Sequence, residues 1–257
     1  MSQATKLIAL DGATISMKER HLMMGGSDRV IDIPIPSFLI EHPKGLVLFD
    51  TGCAPEVATD PEGYWGPATK FLRNIRYTPD QVVDRQIKLH GYRPEDVKFV
   101  VVSHLHLDHS GGMKLFPQAQ LITFKGELPY AYWPDRKARN GFILADLLPT
   151  RGFDWRELTE DADLFGDGSV NIIKTAGHTP GECSLKVRLK RGNVILTGDT
   201  IHIRPQLETL AAMDSDYDIG EASASIRRLR DMQDSGEAAL WISHDPDDWK
   251  RYEHVME

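Results

Sequence analysis

The chain has 257 residues, a length that suits one substantial domain or at most two. Apolar residues make up 41% of it and charged residues 26%, which is typical of a globular protein and not of a disordered one. The formal net charge of −8 argues against an extended nucleic-acid surface, because such a surface needs clustered Lys and Arg to displace counterions from phosphates.

The sequence shows few signs of export or membrane insertion. Its two cysteines, Cys53 and Cys183, imply no disulfide framework, although one bridge stays open. The apolar run at residues 7–10 is far shorter than the hydrophobic region of a signal peptide, and no stretch approaches the ~20 apolar residues that span a bilayer. We therefore expect a soluble cytoplasmic protein that has neither a membrane nor a nucleic acid as its partner.

The first predicted elements are strands. Short β-rich runs occupy residues 6–10, 37–41 and 46–49. The pair Lys44-Gly45 predicts a hairpin turn between the last two. This part of the chain therefore predicts antiparallel pairing at the start of a sheet.

A helix is predicted next, from Thr78 to Gly91. Thr78 and Gln81 have the spacing of a capping box, the proline between them suits the first helical position, and glycine suits a helix end. A short buried strand at residues 98–102 follows and leads directly into polar residues.

The second half of the chain also alternates between predicted strands and a predicted helix. The apolar face of Ala222, Ile226 and Leu229 predicts an amphipathic helix. Further strands are predicted at residues 120–124, 170–174, 184–189, 194–196 and 239–242. This order suits two packed sheets with helices outside, an α/β class in four αββα layers.

A dense group of metal-binding side chains follows the strand at residues 98–102. Alternate side chains of an extended segment project the same way, so His104 and His106 can reach one point while Asp108 and His109 reach a second. Glycines at the end of the group allow the backbone to turn tightly. Four such side chains at this spacing indicate metal ligands.

Three more candidates stand at the ends of predicted strands: His178, Asp199 and His244. Loops at strand ends often carry functional side chains. Together the candidates supply five imidazoles, two carboxylates and no thiolate, which suits Zn²⁺ and also accepts Fe, Mn or Co. A carboxylate that bridges two ions is expected in a two-metal site, so we predict two divalent metal ions per chain.

The ligand candidates, in their order along the chain, resemble the metal-binding motifs of the metallo-β-lactamase superfamily. Within that superfamily they are most similar to the N-acyl-homoserine lactonase branch. The similarity covers nearly the whole chain, including residues 48–52 and 243–245. The resemblance implies a metallo-β-lactamase-type sandwich formed by a single hydrolase domain over residues 1–257. It also suggests a homodimer.

The resemblance also implies a role for each ligand. Asp50 matches a family position that supports the site without binding metal. The remaining assignment is His104, His106 and His178 for one ion, Asp108, His109 and His244 for the other, and Asp199 bridging them.

The implied reaction is lactone opening by a hydroxide that bridges the metals, with Asp108 passing a proton to the leaving oxygen. Lactonases of this branch usually carry a tyrosine three residues after the bridging aspartate, but this sequence has His202 there. An imidazole can donate the same hydrogen bond to a substrate carbonyl, act as an acid, approach a metal or point away from the site. We predict that His202 faces the substrate, as a catalytic and substrate-binding residue. N-Acyl-homoserine lactones are the first expected substrates, which would make the protein a quorum-quenching enzyme.

Aromatic residues gather in two stretches that are predicted as loops and that would suit an acyl chain. Each of them also fits a core or a dimer interface. The predicted substrate contacts are Met23, Tyr64, Trp65, Phe142 and His202, with Phe71, Tyr130, Tyr132, Trp133 and Phe153 as further aromatic candidates.

Two related activities stay open, a small-lactone hydrolase similar to 4-pyridoxolactonase and a glyoxalase-II-like thioesterase. The thioesterase normally adds a basic helical tail, which this sequence does not show. Two other classes are a binding module on an inactive scaffold, which would have lost ligands, and an iron-dependent persulfide dioxygenase, which would carry one iron per chain.

Overall fold

The computed structural model describes residues 4–70 and 72–257, so Phe71 lies outside the described residues. Within these ranges the chain forms two sheets. In chain order the strands are β1 (Lys6–Lys18), β2 (Val30–Glu41), β3 (Leu46–Phe49), β4 (Arg73–Arg76), β5 (Val97–Val101), β6 (Gln120–Phe124), β7 (Asp154–Leu158), β8 (Ala162–Asp163), β9 (Val170–Lys174), β10 (Cys183–Leu189), β11 (Gly192–Leu196), β12 (Ala239–Trp241) and β13 (Val255–Met256).

The first sheet has the order β13-β1-β2-β3-β5-β6-β7, with β4 paired to β1. Its β13, β1, β2 and β3 are antiparallel neighbours, whereas β3, β5, β6 and β7 are parallel. The second sheet has the order β12-β11-β10-β9-β8 and is antiparallel except for the pair β11 and β12.

Short helices connect most of these strands. The α-helices are α1 (Pro61–Trp65), α2 (Val83–Leu89), α3 (Glu127–Tyr132), α4 (Leu144–Leu147), α5 (Pro205–Thr209), α6 (Ile219–Asp234) and α7 (Pro246–Arg251). The 3-10 helices are Glu19–His21, Pro55–Ala58, Gly66–Lys70, Pro79–Gln81, Pro94–Asp96, Met113–Leu115, Arg139–Gly141, Leu148–Thr150 and Gly198–Thr200. In the described part of the chain, no helix combines the length and the apolar character that crossing a bilayer requires.

The core between the sheets follows from the two-residue period of the strands. Phe38 and Val101 of the first sheet share one buried cluster with Leu185 and Val187 of the second. Fully burying one such side chain contributes about 1.5–3 kcal/mol, so these inner faces hold the sheets together. This packing confirms the predicted pair of stacked sheets.

The outer faces of both sheets are covered by helices. Val100 of β5 packs in a cluster with Ile87 of α2 on one side of the molecule. On the other side, Leu240 of β12 packs with Ile226 and Leu229 of α6. The predicted αββα order and the predicted apolar face of α6 are therefore confirmed.

The helix predicted from Thr78 to Gly91 is wrong in one respect, because it is broken at Val82. The capping box between Thr78 and Gln81 is present, but it starts only a 3-10 turn. Val82 is extended (φ −61°, ψ 135°), and α2 begins after it. The break coincides with a change of surroundings, because Val82 packs in one apolar cluster and its neighbour Val83 packs in another.

The topology places several strand ends at one edge of the sandwich. Parallel neighbours end at the same edge, so β3 ends beside β5, and β11 ends beside β12. Strand β9 is two antiparallel steps from β11 and therefore runs in the same direction. The loops that leave β5, β9, β11 and β12 carry the predicted metal ligands, and the loop after β3 carries Asp50.

Candidate metal centre

The first group of ligands brings together three loops. His104 Nε2 lies 2.9 Å from His106 Nδ1, and His178 Nε2 lies 3.0 Å from the same atom. These nitrogens and a carboxylate oxygen of Asp199 lie within 4.8 Å of one another. The loops after β5, β9 and β11 therefore converge on one point.

The second group lies beside the first. His109 Nε2 is 3.1 Å from His244 Nε2. Asp108 Oδ2 is 3.8 Å from the first of these nitrogens and 3.9 Å from the second. The structure thus brings all seven predicted ligands into two adjacent groups, in the division that the resemblance implied.

Asp199 joins the two groups through its two oxygens. Its Oδ1 lies 3.1 Å from His109 Nε2 and 2.9 Å from His244 Nε2. Its Oδ2 lies 3.5 Å from His178 Nε2 and 3.7 Å from His104 Nε2. One oxygen facing each group is the arrangement that a bridging carboxylate needs.

Oxygen atoms orient four of the five imidazoles from outside. An acceptor at Nδ1 takes its proton and leaves the Nε2 lone pair directed into the group. The Nδ1 contacts are His104 with Ser103 Oγ (3.0 Å), His109 with Asp50 Oδ2 (2.9 Å), His178 with Asp216 Oδ1 (2.7 Å) and His244 with the Pro34 carbonyl (2.7 Å). Asp50 therefore supports the ligand His109, which is the role that the family resemblance implies for it.

This geometry fits a pair of divalent cations. Imidazole lone pairs held about 3 Å apart repel one another, whereas a shared cation stabilises all of them. Imidazole nitrogens with carboxylate oxygens are ligands of Zn²⁺ and of other first-row ions. The donor set and its orientation both fit the metals that the sequence predicts.

The charge state of Asp199 also suits a ligand. Burial alone would raise the pKa of this carboxyl, but the imidazoles of His109, His244 and His202 outweigh it and hold the pKa well below its usual range. Asp199 therefore stays ionised inside the protein.

Two buried glutamates tie the ligand loops together, and sequence reasoning missed both. Glu127 accepts hydrogen bonds from the backbone N–H groups of Leu105 (2.8 Å) and Gly181 (2.9 Å), so it links two loops. Glu182 accepts from the N–H of Asp199 (3.0 Å) and places its other oxygen 3.0 Å from His104 Nδ1. Burial raises the pKa of both carboxyl groups.

The sequence offers little signal for these residues. Glu127 begins a helix, where an acidic residue usually faces solvent, and Asp216 lies in a loop that has several acids. Only Glu182 has a local sign, since it directly precedes a buried strand next to the His178 turn. Their roles depend on contacts between distant segments, which a single sequence does not show.

Comparison with known proteins agrees with this geometry. Residues 31–244 match the family model of the metallo-beta-lactamase superfamily. The chain belongs to this superfamily.

Full-length relatives point to one branch of the superfamily. The N-acyl homoserine lactonase AttM of Rhizobium radiobacter is 37% identical over 98% of this chain and 97% of its own length. An N-acyl homoserine lactonase of a Bacillus species is 28% identical over 84% of this chain and 83% of its own. A solved N-acyl homoserine lactone hydrolase with the product N-hexanoyl-L-homoserine at its catalytic metal centre superposes with a TM-score of 0.85, at 23% identity, over 98% of this chain and 97% of that one. This last likeness confirms the metallo-β-lactamase fold.

His202 stands at the position where the family resemblance implies a tyrosine, and the structure places it against Asp199. Its Nε2 lies 3.0 Å from Asp199 Oδ2. Its Nδ1 is buried and has no hydrogen-bond partner among the described residues. The side chain thus contacts a ligand of the metal centre, and its contact with substrate stays a prediction.

The predicted substrate contacts differ in their surroundings. The ring of Phe142 lies 4.6 Å from that of His106, beside the first group. Tyr64 donates its hydroxyl hydrogen bond to Asp146 (2.6 Å). Met23 and Trp65 are buried in one apolar cluster, where Trp65 is 1% exposed. Of these four residues, Phe142 is therefore the best placed to contact a substrate at the metal centre. The surroundings of Trp65 are those of a packing residue.

Asp146 gives the folded protein a pH dependence that can be measured. Burial raises the pKa of Asp146 to about 7, although Tyr64 and Lys114 act in the opposite direction. An unfolded aspartate has a pKa of about 3.9, so between about pH 4 and 7 the folded state holds a proton that the unfolded state has lost. The contribution of this group to the free energy of unfolding therefore falls as the pH rises through that range.

We expect Asp146→Asn to remove this dependence, because its amide carbonyl can still accept from Tyr64 but cannot ionise. Relative to the unmutated protein, the variant should become more stable between about pH 5 and about pH 8. Urea unfolding of both proteins at the two pH values measures the difference. A stability difference that is the same at both pH values would contradict the prediction.

Proposed function

We propose that this protein is a dinuclear metal-dependent hydrolase that opens the lactone ring of N-acyl homoserine lactones. The observation that carries the proposal is the pair of ligand groups joined by Asp199. The full-length relatives that are named for this activity support the choice of substrate.

His104, His106 and His178 would hold one ion, and Asp108, His109 and His244 would hold the other. Two bound divalent ions supply Lewis acidity, which polarises a carbonyl oxygen and makes water a nucleophile near neutral pH. Zn²⁺ is the ion we propose, because the donor set is rich in imidazole and has no thiolate.

Asp108 is the proposed proton carrier. Its carboxylate is 16% exposed, whereas the side chains of Asp199 and His244 are 7% and 1% exposed, so Asp108 can be reached from the open side of the site. When the ester bond breaks, the ring oxygen leaves as an alkoxide and needs a proton. Asp108 can take the proton that the attacking water loses and pass it to that oxygen, after which the carboxylate is ionised again.

His202 and Phe142 are the proposed substrate-facing residues. Nε2 of His202 lies 3.0 Å from Asp199 Oδ2, the oxygen that faces the first group, and from there it can donate a hydrogen bond to a developing oxyanion. Phe142 lies beside His106 and also packs against Tyr130, whose ring contacts Tyr217. These rings provide an apolar wall next to the metal centre for an acyl chain.

We further propose that residues 1–257 form a single hydrolase domain. One apolar cluster takes side chains from both sheets, and the ligand loops come from both. A cytoplasmic location and a homodimer complete the proposal, on the basis of composition and of the family resemblance.

The test is acid release in a weakly buffered solution over a panel of lactones and one thioester. The panel contains short- and long-chain N-acyl homoserine lactones, simple γ- and δ-lactones, a fused aromatic lactone and a glutathione thioester. We expect metal-dependent opening of the N-acyl homoserine lactones, with a rate that depends on chain length.

Chelator-stripped protein is the matched control and should release no acid. Turnover of only a simple lactone, the fused aromatic lactone or the thioester would leave the hydrolase assignment in place and contradict the proposed substrate. Equal rates in stripped and metal-loaded protein would contradict the whole proposal.

A further inference from the structure

His106 differs from the other four imidazoles of the metal centre. Its Nδ1 faces the first group, where it lies 2.9 Å from His104 Nε2 and 3.0 Å from His178 Nε2. The outward nitrogen, Nε2, has no hydrogen-bond partner in the described parts of the chain, whereas an oxygen holds the outward nitrogen of each of the others. Among the described residues, the contacts that can orient the His106 ring from outside are therefore packing contacts.

Residues 138–147, which we call the cap segment, supply that packing. The N–H of Leu107 donates to the Gly141 carbonyl (2.8 Å), so the cap segment is attached to the residue that follows His106. The ring of Phe142 lies 4.6 Å from the His106 ring, tilted by 53°. The cap segment thus covers one face of this ligand.

Gly141 comes especially close to the imidazole. A Cβ atom at this position would lie 2.7 Å from His106 Cδ2 and 3.0 Å from Nε2, which is closer than such atoms approach in proteins. The backbone of Gly141 is outside the left-handed region, so its conformation is open to any residue. Close contact with His106 is therefore the reason for a glycine here.

A buried hydrogen bond fastens the cap segment to the rest of the fold. Asp146 accepts from the Tyr64 hydroxyl (2.6 Å), which ties the cap segment to α1. Asp146 is 1% exposed, and its second oxygen has no hydrogen-bond partner among the described residues, so this single bond carries the attachment of the carboxylate. Lys114, which follows the ligand loop, lies 3.5 Å from the same hydroxyl oxygen.

We propose that the cap segment is a positioning element of the metal centre, in which Gly141 and Phe142 orient His106 by contact and the Tyr64–Asp146 bond holds them in place. The inference rests on the proposed metal site and goes beyond it. It assigns part of the affinity of one of the two metal positions to residues that do not bind the metal.

Gly141→Ala tests this inference, with Gly152→Ala as the matched control. A Cβ at Gly152 meets open space, and the backbone there is also outside the left-handed region. The measurement is a titration of stripped protein with Zn²⁺ against a chromophoric chelator, which resolves two affinities per chain. Losing an outer support of a ligand weakens metal binding about 10- to 100-fold. We therefore expect the Zn²⁺ affinity of one position to fall by that factor in Gly141→Ala. In Gly152→Ala both affinities should be unchanged.

Tyr64→Phe is the second variant, because it removes one hydroxyl and leaves the packing of the ring. We expect it to weaken the same metal position, by a smaller factor than Gly141→Ala. Thermal melting of the stripped variants separates loss of fold from loss of affinity.

The inference would be overturned if both Gly141→Ala and Tyr64→Phe bound Zn²⁺ at each of the two positions as tightly as the unmutated protein does. The proposed function fails separately, if the unmutated protein binds two Zn²⁺ ions but opens no lactone. A protein that binds no Zn²⁺ would overturn both.

Discussion

Asp199→Asn is expected to reduce the rate of lactone opening about a thousandfold and to lower the number of bound metal ions. The variant keeps the size of the side chain, but an amide nitrogen cannot serve as a ligand in place of the second oxygen. Oδ1 of Asp199 lies 2.9 Å from His244 Nε2, and Oδ2 lies 3.5 Å from His178 Nε2, so the loss of either oxygen removes a ligand from one group and breaks the bridge between the two. Charge stabilisation by bound metal is worth several kcal/mol, and about 4 kcal/mol corresponds to a thousandfold in rate.

The measurement is kcat/KM for an N-acyl homoserine lactone together with elemental analysis of the purified variant. Asp50→Asn is the graded control, because Asp50 contacts the outward nitrogen of His109 and the N–H and hydroxyl groups of Ser103, and none of the atoms that face the metal positions. The Asp50→Asn substitution should lower kcat/KM about 10- to 100-fold. If Asp199→Asn retained two ions and most of its activity, Asp199 could not be the bridging ligand.

Asp248→Ala is expected to destabilise the fold by about 3–5 kcal/mol, because it leaves a half-buried guanidinium without its partner. Asp248 is fully buried and accepts two hydrogen bonds from Arg204, of 2.5 and 2.9 Å, and one from the N–H of Ile242. Arg204 also donates through its N–H to Asp245, and so links the segment after His202 to the segment after His244.

In a chain of this length each kcal/mol lowers the melting temperature by about 2–4 °C, so the melting temperature should fall by roughly 10 °C. Glu253→Ala is the matched control, since the Arg191–Glu253 pair is 70% exposed on both sides and such pairs contribute about 1 kcal/mol or less. Equal melting temperatures for the two variants would show that the buried pair adds no more stability than the exposed one.

Much of the fold could be predicted because its inner strands are strongly apolar. The strands at 46–49, 120–124 and 170–174 agree with the structure at both ends. Strand β7 was missed because it is a sheet edge with exposed side chains and has no apolar alternation. Strand β1 was predicted too short, because a bulge after Leu10 interrupts its pattern before pairing with β2 resumes.

The metal centre was predictable for a different reason, which is chemical. Imidazole and carboxylate side chains crowded at strand ends are uncommon without a metal, so the ligand candidates could be read from one sequence. The residues that orient them could not be found in this way. Glu127, Asp216 and Gly141 belong to other segments, and their chemical types are ordinary in the loops and helix ends where they occur.

The most direct measurement is a titration of chelator-stripped protein with Zn²⁺ while the opening of N-hexanoyl homoserine lactone is followed by acid release. The two ligand groups predict no activity in the stripped protein and a rise that reaches its plateau at two equivalents of metal per chain. A plateau at one equivalent, or full activity without metal, would contradict a two-metal lactonase.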